Sequence, residues 1–289
     1  MKAPRFSYVR AESLEQVFEL LKQYGEDARI LAGGQSLIPT LNMRLSQPAI
    51  LIDINRLDAL KGISDEDGAV RIGALARHVE VANSSVIAAR LPLIAAAMPH
   101  VAHVAVRNRG TFGGSVALAD PAAEMPACVL ALGGTLVVAG ARGRREIAAE
   151  DFFRGLYETA REPDELLIEV RIPAEAPGTV SVFLELAQRH GDFAIAGLAC
   201  HARIEGDTVA EARLVYFASE DRPRLATGAM AALAGKAWNG GTRAAVIAAL
   251  ADDLDPMTNL DGGAAMKLHL QRVLTARALD AAVAQARAA

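Results

Sequence analysis

The sequence predicts an α+β protein of two domains, and two observations indicate this class. Strand and helix patterns alternate through residues 1–176, whereas three strand patterns and then three helix patterns fill residues 177–289. Strands followed by helices are typical of a sheet that carries helices on one face. The segment Pro173–Gly178 interrupts both patterns with two prolines and a glycine, which is typical of a linker. We therefore expect one domain over 1–176 and a smaller one over 177–289.

The first helix pattern has a start, an apolar stripe and an end. Ser13 and Gln16 have the spacing of a capping box, which satisfies free N–H groups of the first turn. The stripe that follows has helical spacing and consists of Leu14, Val17, Phe18 and Leu21. Gly25 can then end the helix, because glycine adopts the left-handed conformation of a C-cap at little cost.

The other patterns of the first domain are shorter. Aliphatic runs predict strands at Ala28–Gly34, Ala49–Leu57, Ala69–Ala76, Thr135–Gly140 and Leu166–Pro173. A polar turn, Ser64–Gly68, separates the second strand from the third. An alanine-rich stretch predicts a helix over Ser85–Met98. Asp120–Pro121 predicts a further helix start, since aspartate is a good N-cap and proline a good first residue. That helix would run to Leu132 and stop at Gly133–Gly134.

The second domain contains the patterns of three strands and three helices. The strands are expected at Ser181–Gln188, Phe193–Ile204 and Thr208–Ser219. The turn Glu205–Asp207 joins the last two strands as a hairpin. The helices are expected near Arg224–Leu233, Thr242–Ala251 and Gly263–Ala288. No internal repeat is present.

Composition and charge exclude several classes of function. The formal net charge is −4, so the chain lacks the basic surface that binding to nucleic acid requires. Arg142, Arg144 and Arg145 form the densest basic cluster, which we interpret as a solvated turn. We find no signal peptide and no apolar run long enough to span a membrane, so we expect a cytoplasmic protein without membrane insertion.

Cysteines and histidines give no sign of a metal or cluster site. Cys128 and Cys200 are too few for the four thiolates of an ordinary iron–sulfur cluster, and their apolar neighbours predict burial. His100, His103 and His190 lack a Glu or Cys at metal-ligand spacing. The sequence therefore predicts no metal site on this chain.

Two glycine pairs beside hydroxyl residues are the motifs that indicate function. One stands in AGGQSLIPTL, which begins at Ala32, and the other in GTFGGS, which begins at Gly110. Glycine lets a ligand approach the backbone closely, and successive exposed N–H groups form a concave anion site. Two such loops facing each other could hold the two phosphates of a diphosphate.

Short-motif patterns exclude the commoner phosphate and hydrolase sites. The chain has no Gly-Lys-Ser/Thr of a Walker loop, no G-x-G-x-x-G and no G-x-S-x-G. On the residues alone, two interpretations remain open. The pairs are either ordinary tight turns or parts of a site for a phosphate-bearing ligand.

Longer segments around these pairs resemble one family. Ile30–Pro48 (ILAGGQSLIPTLNMRLSQP), Val106–Ala127 (VRNRGTFGGSVALADPAAEMPA) and Gln188–Gly197 (QRHGDFAIAG) are similar to signatures of the FAD-binding medium subunits of molybdenum hydroxylases. That group includes carbon monoxide, nicotinate, caffeine and xanthine dehydrogenases. The three segments distribute the resemblance over the whole chain.

The resemblance implies a fold and a division of labour. The fold is a two-subdomain FAD-binding domain of the vanillyl-alcohol-oxidase (PCMH) type, followed by a smaller α+β domain. A large partner subunit with the molybdenum cofactor would hydroxylate the substrate. A small partner subunit with [2Fe-2S] clusters would pass electrons to FAD on this chain, which would deliver them to an external electron acceptor. The resemblance implies no catalytic side chain here, because binding and tuning FAD is the task of such a subunit.

The resemblance also implies which residues contact FAD. The pyrophosphate would lie on the two glycine loops, at Ala32, Gly33, Gly34, Gln35, Ser36 and Leu37 and at Thr111, Gly113, Gly114 and Ser115. Val101 would lie against the dinucleotide, and Leu167 would approach the isoalloxazine ring. Glu124 would accept hydrogen bonds from the cofactor's hydroxyls, for which a carboxylate is suited. Asp120 is a further candidate contact, although a helix cap is the alternative.

Two aromatic residues belong to the same resemblance. Phe193 stands where the family often has an aromatic close to the flavin ring, and it can pack there but cannot donate a hydrogen bond. The alternative is a core phenylalanine on a strand. Phe112 replaces a commoner isoleucine in the second loop, and its larger side chain would change how that loop is seated.

Two other functions remain as alternatives. A stand-alone flavoprotein oxidase or reductase of the same fold would need its own substrate pocket with polar anchoring groups, and we find no convincing set. A scaffold subunit without cofactor is the second alternative. The intact glycines at 33, 34, 113 and 114 argue against that loss.

Overall fold

The computed structural model describes residues 2–288. Its helices are α1 (Leu14–Tyr24), α2 (Leu37–Asn42), α3 (His78–Ala82), α4 (Ser85–Arg90), α5 (Pro92–Ala97), α6 (Val104–Arg107), α7 (Phe112–Leu118), α8 (Glu124–Ala131), α9 (Ala149–Phe152), α10 (Thr227–Leu233), α11 (Gly240–Asp253) and α12 (Ala264–Ala288). Its strands are β1 (Ser7–Arg10), β2 (Ala28–Leu31), β3 (Ile50–Asp53), β4 (Ile63–Glu66), β5 (Ala69–Gly73), β6 (Thr135–Gly140), β7 (Gly143–Ala148), β8 (Phe153–Gly155), β9 (Glu158–Thr159), β10 (Leu166–Pro173), β11 (Thr179–Ala187), β12 (Ala194–Glu205), β13 (Thr208–Phe217), β14 (Arg224–Leu225) and β15 (Lys236–Ala237).

A three-stranded parallel sheet in the order β1–β3–β2 forms the first unit. The start of α1 is as predicted, because the Ser13 side chain accepts a hydrogen bond from the N–H of Gln16 at 3.2 Å. The apolar face of α1 packs against this sheet in a buried core. In the register of the sheet Leu31 stands beside Asp53, so β2 and β3 end at the same edge. The first glycine pair leaves the sheet at that edge.

The second unit is a five-stranded antiparallel sheet in the order β4–β5–β10–β6–β7. Two of its strands differ from the sequence-based prediction. β4 lies partly within the expected turn Ser64–Gly68, and the hairpin turn itself is Asp67–Gly68, both with positive φ. Arg144 and Arg145 lie on the edge strand β7, so the prediction of a solvated turn is wrong for them. Charged side chains suit an edge strand, because they discourage pairing with another chain.

The predicted helix over Ser85–Met98 is two helices. α4 ends at Arg90 and α5 begins at Pro92, with Leu91 between them. Proline lacks the N–H that a continuous helix requires, but it is well suited to a first helical position. The Ser84 side chain caps α4 by accepting from the N–H of Ile87 at 3.3 Å.

Asp120–Pro121 is not a helix start, and that prediction is wrong. The helix α8 begins later, at Glu124, with Ala123 in the N-cap position. Oδ1 of Asp120 accepts a hydrogen bond from the N–H of Ala122 at 2.9 Å, which closes a turn ahead of the helix. The aspartate–proline signal thus marks a turn here, and α8 ends near Leu132 as expected.

The last sheet has the order β11–β12–β13–β14, and β15 pairs with β13. As the sequence predicts, helices α10, α11 and α12 cover one face, where they form a buried core with the strands. The other face is also covered, by α5 and α8 of the preceding part of the chain. Phe183 and Phe217 of this sheet belong to the same core as Met125 and Cys128. Two layers of helix therefore enclose the sheet.

No helix within residues 2–288 is both long enough and apolar enough to cross a membrane. The cysteines Cys128 and Cys200 are buried and unpaired, as predicted.

Candidate functional site

The first glycine loop, defined as residues 32–37, leaves β2 and enters α2. Gly34 has a φ of 72°, a left-handed conformation that glycine adopts without steric cost. Within residues 2–288, no carbonyl or side chain accepts a hydrogen bond from the N–H groups of residues 33–37. Five consecutive N–H groups are thus free to bind an external acceptor. Such an arrangement is typical of an anion site.

Asn55 holds this loop against the end of β3. Its Nδ2 donates to the carbonyl oxygen of Ala32 at 2.9 Å, and its backbone N–H donates to Oδ1 of Asp53 at 2.9 Å. Nη2 of Arg77 donates to Oδ1 of Asn55 at 2.5 Å, and Nη1 of Arg77 donates to the carbonyl oxygen of Arg109. One chain of hydrogen bonds therefore joins the first glycine loop to the segment that precedes the second glycine pair.

Asp53 anchors this network of hydrogen bonds. Burial acts to raise the pKa of Asp53, but hydrogen bonds from the hydroxyl of Tyr8 and from Asn55 outweigh burial and lower that pKa below its ordinary value. Asp53 therefore stays ionised. Its carboxylate is occupied by partners within the protein, so it acts as an anchor for Asn55.

The second glycine loop, defined as residues 109–115, lies directly against the first. A Cβ on Gly33 would stand 2.5 Å from the carbonyl oxygen of Arg109 and 2.8 Å from Cα of Gly110. Both of these neighbours are backbone atoms, which cannot move aside as a flexible side chain could. Gly33 is therefore required by the close approach of the two loops.

The N–H groups of the second loop are used within the protein. The N–H of Phe112 donates to the carbonyl of Ala76 at 2.8 Å, and the N–H of Gly113 donates to the carbonyl of Ala74 at 3.0 Å. The Thr111 hydroxyl accepts from the N–H of Gly114 at 3.1 Å and so caps α7. The structure differs here from the expectation of exposed amides in both loops. The amides of Phe112 and Gly113 bind the neighbouring part of the fold, whereas those of Gly114 and Ser115 donate to Thr111 within the loop itself.

Packing explains the composition of the second loop. A Cβ on Gly113 would stand 2.5 Å from both Cα and Cβ of Ala74, so this glycine permits close contact with the end of β5. Phe112 is fully buried in the largest core, which gives its aromatic ring a structural role. The second loop is thereby fixed on the five-stranded sheet.

A cavity of about 520 Å³ opens beside the two loops. The first glycine loop, Asp53, Asn55 and Arg109 are among its lining residues. Burial is the main cause that lowers the pKa of Arg77, and the nearby charge of Arg109 is the next. Arg109 and the open N–H groups of the first loop line this cavity, which makes it suitable for an anion.

Three further candidate residues lie in the interior beyond the loops. Val101 follows α5 and Leu167 lies on β10, and both are buried. Glu124 is the first residue of α8 and is 7% exposed. Burial, and then the charge of Asp120, raises the pKa of Glu124 to about 7. A buried carboxyl of this kind is expected to have hydrogen-bonding partners. Within the described chain, the Glu124 carboxyl has no hydrogen-bonding partner other than its own backbone.

Phe193 lies outside the core. Its side chain is 69% exposed, and β12 begins one residue later, at Ala194. The alternative of a core phenylalanine on a strand is therefore wrong. The loop before it packs on the region after Val101, because a Cβ on Gly191 would stand 2.6 Å from the ring of His103. The loop that precedes the exposed Phe193 thus packs on the segment that follows Val101.

Asp120 is engaged by the protein. In addition to the turn at Ala122, its Oδ2 accepts a hydrogen bond from the hydroxyl of Tyr157 at 3.2 Å. The structure thus gives Asp120 a structural role in a turn, although not the predicted helix cap.

Four residues that hold the first loop were not predicted from the sequence: Asp53, Asn55, Arg77 and Arg109. A signal for two of them was available, since Asp53 and Asn55 are polar residues at the carboxyl end of a fully buried strand. Ligand sites in α/β structures commonly lie at such strand ends. Nothing local marks Arg77, whose role depends on contacts distant in sequence.

These features fit a dinucleotide with a diphosphate. The open amides and Arg109 suit the phosphates, the cavity has room for part of a nucleotide, and the buried Glu124 carboxyl can accept from hydroxyls. Within the described chain, no group of histidine, cysteine and carboxylate side chains is arranged to hold a metal ion.

Comparisons with known families agree with this fit. A family profile described as the FAD binding domain in molybdopterin dehydrogenase matches residues 4–175. A second profile, the CO dehydrogenase flavoprotein C-terminal domain, matches residues 181–282.

Similar curated proteins cover nearly the whole chain. The carbon monoxide dehydrogenase medium chain of Hydrogenophaga pseudoflava is 39% identical over 99% of this chain and 99% of its own length. The 6-hydroxypseudooxynicotine dehydrogenase complex subunit alpha of Paenarthrobacter nicotinovorans is 36% identical over 99% of this chain and 97% of its own.

Solved structures show the same fold. A chain of carbon monoxide dehydrogenase from Hydrogenophaga pseudoflava superposes with a TM-score of 0.96 at 39% identity, covering 98% of this chain and 99% of its own. A chain of quinoline 2-oxidoreductase from Pseudomonas putida 86 gives 0.93 at 37% identity, with 99% of each chain covered. The recognition from sequence and the predicted fold class are confirmed, FAD is the cofactor, and the chain belongs to the family of FAD-binding subunits of molybdenum hydroxylases.

Proposed function

We propose that this chain carries FAD as an electron relay, receiving electrons from iron–sulfur clusters on a small partner subunit and passing them to an external acceptor. The observation that supports this most strongly is the row of free N–H groups in the first glycine loop, beside Arg77 and Arg109. The names of the relatives, a medium chain and a subunit of a complex, support a partnership with a large molybdenum-cofactor subunit as well.

We infer the following assignments within the site. Ala32 to Leu37 bind the pyrophosphate through backbone N–H groups, with charge supplied by Arg77 and Arg109. The wall behind the pyrophosphate is formed by residues of the second loop, namely Thr111, Gly113, Gly114 and Ser115. These residues fix the distance between the pyrophosphate and the five-stranded sheet. Glu124 accepts hydrogen bonds from the hydroxyls of the cofactor.

The remaining assignments concern the flavin ring. Val101 and Leu167 supply apolar contact, and Phe193 covers the ring from the exposed side. Asp120 keeps the start of α8 in place, and its contact with the cofactor is indirect. The bound flavin supplies the redox chemistry, and the side chains of this chain bind it, orient it and exclude water.

We propose a division of the chain into domains 1–176 and 177–289. In support, β10 ends at Pro173 and β11 begins at Thr179, so the segment between them has no regular structure. We also propose a cytoplasmic location, since the two buried thiols are free.

Purification of the full-length chain, alone and with its partner subunits, tests the proposed function. We expect a yellow protein whose flavin is reduced only when the molybdenum and iron–sulfur subunits and their substrate are present. Reduction by a small substrate without partners would instead favour a stand-alone oxidase or reductase. A colourless protein that does not bind added FAD would favour the scaffold.

A further inference from the structure

A buried carboxyl group faces the first domain from the last sheet. Side chains alternate along β11, so Val182 and Leu184 join the core with α10–α12, while Phe183 and Glu185 point to the opposite face. That face packs on α5, and His100 lies three residues after the end of α5. The rings of His100 and Phe183 have centroids 5.3 Å apart. Glu185 therefore enters the layer between the sheet and the first domain.

The geometry pairs this carboxyl with a histidine that reaches solvent. Oε1 of Glu185 lies 3.3 Å from Nδ1 of His100. The Glu185 side chain is only 4% exposed, whereas the His100 side chain is 32% exposed. Oε2 of Glu185 is buried and has no hydrogen-bonding partner in the described chain. His100 thus connects a buried acid with water.

A second buried acid lies close by. Burial, followed by the charge of Glu124, raises the pKa of Glu185 to about 8. The charges of Glu124 and Glu185 also contribute to the raised pKa of the Cys128 thiol, which places all three groups in one region. A desolvated carboxyl without a hydrogen-bonding partner for one of its oxygens favours the neutral form, and the charge of Glu124 adds to this effect, so Glu185 keeps its proton at neutral pH.

The remaining titratable groups around the pair favour a neutral histidine. Burial and then the charge of His190 lower the pKa of His100. The two imidazole rings have centroids 6.2 Å apart. Asp120, on the other side, adds negative charge beside Glu124. A neutral His100 can accept a proton at Nδ1 while it carries its own on Nε2.

We propose that the buried carboxyl of Glu185 stores one proton and exchanges it with solvent through His100. On release, the O–H bond of Glu185 breaks, Nδ1 of His100 takes the proton and Nε2 of His100 gives one to water. Uptake is the reverse, and no electrons move. This rests in part on the proposed function, since Glu124, whose charge acts on Glu185, is the residue assigned to the cofactor's hydroxyls. The stored proton then offsets changes of charge in the cofactor site.

Infrared spectroscopy of the full-length chain, with and without FAD, tests directly whether a buried carboxyl holds a proton. A protonated carboxyl has a C=O stretch that an ionised carboxylate lacks. We expect such a band at neutral pH, its decline as pH rises past about 8, and its loss in Glu185→Gln. The difference spectrum between the two proteins is needed because the pKa of Glu220 is also raised by burial.

The chain contains a matched control. Glu175 is a second buried glutamate near a histidine, with its Oε1 3.6 Å from Nδ1 of His201, and it accepts a hydrogen bond from Ser181. We expect Glu175→Gln to leave the band unchanged. Equal loss of the band in both variants, or its persistence in Glu185→Gln, would overturn the proposal.

A second variant keeps the test decisive if Glu185→Gln does not fold. His100→Gln should retain the band but slow its shift in D₂O by about a hundredfold, since a positioned proton carrier is lost. An unchanged exchange rate would overturn the role of His100. A yellow protein without the band would overturn the store and leave the proposed function standing. A protein that shows the band but never binds FAD would overturn the proposed function and leave the proposed storage of a proton standing.

Discussion

The two glycine loops are similar in sequence and differ in the use of their backbone amides. In the first loop the N–H groups of residues 33–37 have no acceptor within the described chain. In the second loop the N–H groups of Phe112 and Gly113 bind carbonyls at the end of β5, and that of Gly114 binds the Thr111 hydroxyl. A glycine pair can thus serve a ligand or serve the fold. Sequence alone does not distinguish the two uses.

This difference predicts that variants of the two loops will separate stability from cofactor affinity. Changes in the second loop should lower the free energy of unfolding of the FAD-free protein. Changes at Arg109 and at positions of the first loop other than Gly33 should lower FAD affinity far more than stability.

The largest effect is expected for Gly113→Ala. The new Cβ would stand 2.5 Å from Cα of Ala74, so the loop or β5 must move. Overpacking of this kind typically costs up to about 3 kcal/mol of stability. Urea unfolding of the FAD-free protein measures it, with Gly68→Ala as a control at an open hairpin position where only the backbone conformation is strained. An unfolding free energy equal to that of the unchanged protein would contradict the structural role of the second loop.

A smaller effect, on affinity alone, is expected for Arg109→Ala. Charge-assisted hydrogen bonds contribute about 2 kcal/mol, so FAD should bind about thirtyfold more weakly. Fluorescence titration with FAD measures this, and the stability of the FAD-free protein should be unchanged. Arg56→Ala, an exposed arginine next to Asn55, is the matched control and should bind FAD normally. Equal affinities in the two variants would remove Arg109 from the site.

FAD affinity should also depend on pH through Glu124. Its pKa is raised to about 7, and an ionised carboxylate is the better acceptor for hydroxyls. Affinity should therefore rise about tenfold from about pH 6 to about pH 8, and this dependence should vanish in Glu124→Gln. The stability of the FAD-free protein should change in the opposite direction and fall as pH rises. A raised pKa gives stability that is present below the ordinary value of 4.5 and lost as pH rises through about 7. Affinity that falls with pH would contradict this role.

The smallest effect is expected at the two hydroxyl residues that accompany the glycines. Thr111 caps α7 by accepting from Gly114, so Thr111→Ala should cost about 1 kcal/mol of stability. Ser36 makes no capping hydrogen bond at the start of α2, so Ser36→Ala should change stability much less. Thermal unfolding of the two FAD-free variants makes the comparison. A larger loss for Ser36→Ala would reverse the assignment of the two loops.

Much of the fold could be predicted from local signals, because α1, the central strands and α12 have clear caps or long apolar patterns. The errors have local causes too. Pro92 divides a helix that its alanine-rich flanks predict as continuous, and Asp120 closes a turn with a residue type that also caps helices. The edge strand β7 was missed because its side chains are exposed and charged.

The site was less accessible to prediction from sequence. The glycine pairs are visible as motifs, but the carbonyls that accept from Phe112 and Gly113 belong to Ala76 and Ala74, which are distant in sequence. Arg77 reaches Asn55 and the Arg109 carbonyl only in the folded chain. Glu185 appears as an ordinary strand residue until the packing of β11 on α5 places it beside His100.

Amide hydrogen exchange, followed by NMR with and without FAD, tests most directly whether the first loop binds the phosphates. The N–H groups of residues 33–37 should exchange quickly in the FAD-free protein and slow strongly when FAD binds. Those of residues 112–114 should be slow in both states. Protection of residues 33–37 before FAD is added, or its absence afterwards, would contradict the account.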